Sequence, residues 1–193
     1  MDIKAVCFDI DGTMYPKWMT NVFLIPTLFQ SISLMYGVQK FRKYMRNGDN
    51  VSIEPANQEG FRKRQLTFLL EREGIEVSSE SLEMMRKKLD RQFYKRMERT
   101  FTHIVPYRSL QRTLTHLKER DLVIGALSDF PIGKKLETLK VDHIVDYSAC
   151  TEQSGYLKPH IAPFVFLGDM VGIPLSQILY IGDSYAKDIV GGH

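Results

Sequence analysis

Three short apolar runs in this 193-residue chain each lead straight into an aspartate. Ile3-Lys-Ala-Val-Cys-Phe8 meets Asp9-Ile10-Asp11-Gly12-Thr13. Leu122-Val-Ile-Gly-Ala-Leu127 meets Ser128-Asp129, and Gln177-Ile-Leu-Tyr-Ile181 meets Gly182-Asp183-Ser184. Continuous apolar runs of this length, bounded by turn formers, read as strands buried on both faces. Such strands need helices on both sides of a parallel sheet. The segments between them comply: helices are expected over about 107–119, from about 133 and over about 161–171, with a short strand near 143–149. The expected class is α/β, a doubly wound parallel sheet. Sheets of this kind bind ligands at the carboxyl ends of their strands, which is where the aspartates fall.

Residues 20 to 101 contain no convincing strand. They read as helices over roughly 20–46, 56–73 and 79–99, broken at Asn47-Gly48-Asp49-Asn50 and at Gly74. The expected organisation is a core of residues 1–15 and 104–193, interrupted by a helical domain of residues 16–103. Trp18 to Gln39 carries no charge over 22 residues, but Thr20, Asn21, Gln30, Ser31 and Ser33 interrupt it. It reads as an apolar helix packed inside the protein, not a membrane span. The basic runs Phe41-Arg-Lys-Tyr-Met-Arg46, Phe61-Arg-Lys-Arg64 and Arg86 through Arg99 read mostly as solvated helix faces.

Charge divides along the same boundary. Residues 14–101 hold 16 Lys/Arg against 10 Asp/Glu, and the remainder holds 10 against 13, which gives the net +3. A nucleic-acid binder would lack the acidic half; a small anionic substrate between the halves fits better. Two cysteines, Cys7 and Cys150, offer neither a disulfide framework nor a zinc spacing. A reducing, cytoplasmic setting is expected, with no signal peptide, since the first apolar run stops at Asp9.

Asp9 and Asp11 alternate about Ile10, and a continuing strand would turn both to one side. Gly12 then lets backbone amides approach a ligand. Several carboxylates converging at strand ends repel one another unless a cation joins them. Mg²⁺ suits oxygen ligands and brings a phosphate with it. Two carboxylates two residues apart can then divide phosphoryl transfer, one as nucleophile and one as proton donor and acceptor.

At these residues the chain resembles the haloacid dehalogenase-like hydrolases, in particular the phosphatases with a helical C1 cap and a Rossmann-like core. The first motif of that superfamily is DxDGT, matched by Asp9-Ile10-Asp11-Gly12-Thr13. The second is a strand ending in Ser or Thr, matched by Ser128; the third is Lys158-Pro159; the fourth is Gly182-Asp183 with Asp188. The resemblance implies Asp9 as nucleophile and Asp11 as general acid and base. It implies a Mg²⁺ site from Asp9, the Asp11 backbone carbonyl, Asp183 and Asp188. Ser128, Lys158 and the backbone amides of Ile10 and Asp129 would hold the phosphoryl group. The residues inserted after the first strand would form the cap.

Asp11 sets the reaction apart from dehalogenation, because dehalogenases lack an acid there. The implied activity is Mg²⁺-dependent hydrolysis of a small phosphorylated metabolite, with no nucleic-acid or membrane partner. A phosphomutase sharing the first step and a non-catalytic binding protein are the alternatives. Three departures stand out. His160, not Asp, follows Lys158-Pro159; Asp129, not Asn, follows Ser128; and the sequence stops at Gly192-His193, so a further edge strand is expected to be missing.

Overall fold

The computed structural model describes residues 2–28, 31–47 and 56–190. Strands β1 (Ala5–Asp9), β2 (Val123–Ser128), β3 (Tyr147–Cys150) and β4 (Ile178–Ile181) form one parallel sheet in the order β3-β2-β1-β4. Asp9 pairs with Leu127 and Phe8 with Ile181, so the carboxyl ends of β1, β2 and β4 finish level. The chain lays β2 and β3 on one side of β1 and then places β4 on the other. That reversal of order opens a crevice between β1 and β4.

Every residue of β1 is buried, as a strand covered on both faces requires. Its side chains alternate between two cores. Val6 and Phe8 join Leu110 and Leu114 of α6 (Leu110–Lys118) and Leu136 of α7 (Lys135–Thr138). Ala5 and Cys7 join Phe164, Leu167 and Val171 of α8 (Ala162–Val171).

Between β1 and β2 run α1 (Lys17–Leu28), α2 (Ile32–Asn47), α3 (Gln58–Arg72), α4 (Ser79–Leu89), a π-helical turn (Asp90–Tyr94) and α5 (Lys95–Phe101). Leu34 and Val38 of α2, Leu66, Leu69 and Leu70 of α3, and Met85 and Leu89 of α4 build a core of their own. Asn57 caps α3 by accepting the Gly60 N–H at 3.0 Å. Ser78 and Ser81 cap α4 reciprocally, and the missing partners of a first helical turn are supplied in this way.

Several expected elements differ in detail. The helix expected over 20–46 is two. Pro26, with no backbone N–H, falls in the last turn of α1, which stops two residues later. The loop Asn47–Asn50 lies largely outside the described residues, as do the side chains at 23–30 and the final Gly192-His193. Within the uncharged segment, Leu34, Met35 and Val38 are buried as expected, whereas Val22, Ile32 and Tyr36 are exposed. The helix after 133 is four residues long, and the last one is a single π-helical turn, Tyr185–Ile189. Among the described residues no helix is long and apolar enough to cross a membrane.

Candidate active site

Asp9 closes β1, 4 % exposed. One of its oxygens accepts from Lys158 Nζ at 2.5 Å. The same ammonium donates to Asp188 at 2.8 Å and to the Tyr180 hydroxyl at 3.1 Å. Lys158 is itself 1 % exposed. Burial alone would strip its proton, but Tyr180, Asp9, Asp129 and Asp188 hold it well above the usual lysine range. Burial in turn pushes Asp9 up to about 7, against the pull of Lys158 and with the help of its acidic neighbours. Asp9 and Asp188 thus share one buried lysine.

Asp183 follows β4 and meets Lys17 Nζ at 2.7 Å. Asp188 is buried, and its second oxygen accepts the Ser184 N–H at 3.0 Å. Carboxylate oxygens of Asp9, Asp183 and Asp188 all lie within 4.8 Å of one another. Gly12 makes room for the group. Its φ is +112°, and a Cβ there would stand 2.6 Å from an Asp183 oxygen. Three hard oxygen donors, short of compensating charge and facing a cavity, fit Mg²⁺.

Asp11 is turned elsewhere. Lys135 Nζ donates to both its oxygens at 2.8 Å, the Ser128 hydroxyl donates at 2.6 Å, and the Tyr15 hydroxyl at 2.7 Å. Burial opposes ionisation, yet Lys135 and these bonds hold Asp11 below the usual carboxylate range. Its carboxylate does not join the acidic group, so only its backbone carbonyl is left for the metal role the resemblance implies. Ser128, fully buried, also accepts from Lys135 at 2.8 Å and from the Phe130 N–H at 3.1 Å. Ile10 is buried beside them.

One sequence reading needs correction. The run Phe41–Arg46 faces solvent only in part: Lys43 and Tyr44 are exposed, the rest is buried or half-buried. Arg42 is 3 % exposed and donates to Glu152 at 2.7 Å and to the Asp129 carbonyl oxygen. Its guanidinium stacks 3.9 Å over the Phe130 ring. Arg46 donates to the Asp129 carboxylate at 2.8 Å and to the Lys158 carbonyl at 3.3 Å. The Asp129 side chain receives Arg46 and also Lys187 at 3.0 Å. Burial notwithstanding, Arg46 and Lys158 hold Asp129 well below the usual carboxylate range. The residues that sequence reasoning missed are Lys135, Tyr15, Arg42, Arg46, Glu152 and Tyr180. Lys134-Lys135 looks like an ordinary helix start; only the 124-residue pairing to Asp11 gives it meaning.

A cavity opens above Asp9 and Asp11. Met35 and Val38 of α2, Phe93 of the π turn and Met97 of α5 line it; Phe101 of α5 and Phe130 also line it, with Lys135 Nζ 4.5 and 6.0 Å from their ring centres.

The family model of the haloacid dehalogenase-like hydrolases matches residues 3–193. A phosphoglycolate phosphatase from Mannheimia succiniciproducens is 23% identical over 194 residues, covering 98% of this chain and 81% of its own length. Among solved structures, a predicted phosphoglycolate phosphatase from Haemophilus somnus superposes with a TM-score of 0.57 at 20% identity, over 100% of this chain and 82% of that one. A β-phosphoglucomutase from Clostridium difficile superposes with a TM-score of 0.65 at 18% identity, over 98% and 80%. At such identities the structural likeness speaks for the fold, and two different reactions share it.

Proposed function

From the premise that the chain belongs to the haloacid dehalogenase-like hydrolases, we propose that it is a Mg²⁺-dependent phosphatase of small phosphate monoesters, working through an aspartyl-phosphate. The observation that carries this reading is the division of labour between two neighbouring aspartates. Asp9 sits on Lys158 beside the acidic group, and Asp11 sits on Lys135 and Ser128, facing the same cavity.

Asp9 is the nucleophile. Its free oxygen attacks phosphorus in line, and the bond to the alcohol oxygen breaks. Asp11 delivers a proton to that leaving oxygen. Lys135 keeps Asp11 ionised before substrate arrives; the negative charge of a bound phosphate raises its proton affinity, and Asp11 takes up a proton from solvent water as the ester binds. In the second step Asp11 takes a proton from water, whose oxygen attacks the aspartyl-phosphate and releases inorganic phosphate. Lys158 neutralises Asp9 and the phosphoryl oxygens. Asp9, Asp183 and Asp188 would hold Mg²⁺, whose charge would offset that of the transferring group. The helices above the cavity act as the cap, and the site belongs to a cytoplasmic enzyme in this reading.

The test is phosphate release from a panel of phosphate monoesters, with Mg²⁺ and with a chelator, beside Asp9→Asn. Release that needs the metal and disappears in Asp9→Asn is expected, with unchanged circular dichroism. Undiminished release by Asp9→Asn sinks the reading. Phosphate appearing in solution also separates hydrolysis from a mutase, which returns the group to substrate.

A further inference from the structure

Every lysine and arginine that lines the cavity is already engaged. Lys158 is on Asp9 and Asp188, Lys135 on Asp11, and Lys187 on Asp129. Arg42 is on Glu152 and the Asp129 carbonyl. Lys17 reaches down to Asp183, at the phosphoryl end. No other lysine or arginine lines the cavity, and the undescribed segments, residues 1, 29–30, 48–55 and 191–193, contain none. The rest of the lining is apolar Met35, Val38, Phe93, Met97, Phe101 and Phe130, neutral Thr20, Asn21 and Gln39, and the carboxylates of the floor.

We propose, building on the phosphatase reading, that the substrate is a phosphate monoester of a neutral, largely apolar or aromatic alcohol. A carboxylate on that alcohol would be desolvated against methionine and phenylalanine, and the cations beside Phe101 and Phe130, Lys135 and Arg42, are already committed to Asp11 and Glu152, a costly burial. An apolar or aromatic body would instead trade water for the rings and thioethers of the roof. Phosphoglycolate, whose ester carbon bears a carboxylate, is thereby a poor substrate, although the relatives similar to this chain carry its name.

The test compares matched pairs. Benzyl phosphate and 4-(phosphonooxymethyl)benzoate differ only in a carboxylate, and the ratio of their kcat/KM reads the preference during turnover. Calorimetry of benzylphosphonate against 4-carboxybenzylphosphonate, on Asp9→Asn in Mg²⁺ buffer, reads the same preference without turnover. The neutral member is expected to be favoured by at least about tenfold in both measurements. Gln39→Arg, which puts a cation at the exposed rim, is expected to narrow the ratio. Equal or tighter handling of the carboxylate member overturns the inference. Lys17→Met then tells whether the exposed lysine is the source. A clear binding preference with no turnover of any ester would support the cavity's selectivity and sink the hydrolytic reading alone.

Discussion

At the floor of the cavity each catalytic candidate meets fixed partners: Asp9 with Lys158, Asp11 with Lys135, Ser128 and Tyr15, Asp188 with Lys158 and the Ser184 amide. The roof offers side chains without charge, and its cations turn aside to grip Asp129 and Glu152. The floor is made by strand ends, which a parallel sheet holds in register. The roof is made by helices tied to the core here by Arg42 and Arg46, by Lys17 on Asp183, and by packing such as Phe41 and Met45 on Leu157. The difference assigns chemistry to the floor and selection to the roof, and each prediction below strains one side of it.

The largest effect is expected at Lys158. Lys158→Met leaves Asp9 and Asp188 facing each other and removes charge from the phosphoryl site. We expect kcat to fall by about 10²–10³-fold, measured by phosphate release, with KM moving less. A fall below tenfold would mean that the floor is not preorganised around this lysine.

Arg42 comes next, and it probes the tie between roof and floor. Glu152 is fully buried, so Arg42→Met leaves it with Arg62 at 3.2 Å and the Tyr94 hydroxyl at 3.3 Å. Removing one partner of a buried pair costs about 3 kcal/mol, read as a shift of the urea midpoint. The double variant Arg42→Met/Glu152→Met is expected to recover most of it, since the unpaired charge is what destabilises. If both variants are equally unstable, packing of Arg42 on Phe130, not its charge, is the tie.

Lys135 sharpens the contrast within the floor itself. Lys135→Met frees Asp11 from its strongest partner while Ser128 and Tyr15 still hold it. We expect kcat to drop by about tenfold with KM within about twofold, and Lys135→Arg to restore part of the loss. A change confined to KM would place Lys135 in substrate binding.

The floor was legible in the sequence because a parallel sheet converts strand ends into a site. Asp9, Asp11, Ser128, Asp129, Lys158, Asp183 and Asp188 all sit next to strands or short turns that local pattern reveals, and all gather near one cavity. What stayed hidden depends on distant pairing. Lys135 meets Asp11 across 124 positions, Arg42 meets Glu152 across 110 and Arg46 meets Asp129 across 83. A basic helix run looks the same whether it faces water or a buried acid, so Arg42 read as surface. The division of the first predicted helix into α1 and α2 was masked for a related reason: the uncharged run has no charge periodicity to show where a face turns.

The smallest effect is a null result that separates motion of the roof from motion of the floor. Cys7 lies inside β1 and Cys150 closes β3, and burial pushes both thiols up to about 12. At pH 8 a thiol of that kind is ionised to only about 10⁻⁴. Neither residue lines the cavity, and Cys7 packs with Phe164 and Leu167 of α8, so helices swinging away from Asp9 would leave Cys7 covered by α8 and by the sheet itself. A thiol reagent added to the native protein is therefore expected to leave Cys7 unlabelled over hours, with or without substrate or Mg²⁺, as read by mass spectrometry. Unfolding in urea should release two equivalents. Labelling of Cys7 that speeds up when ligand leaves would mean that the sheet opens together with the roof, and the contrast between floor and roof would fail.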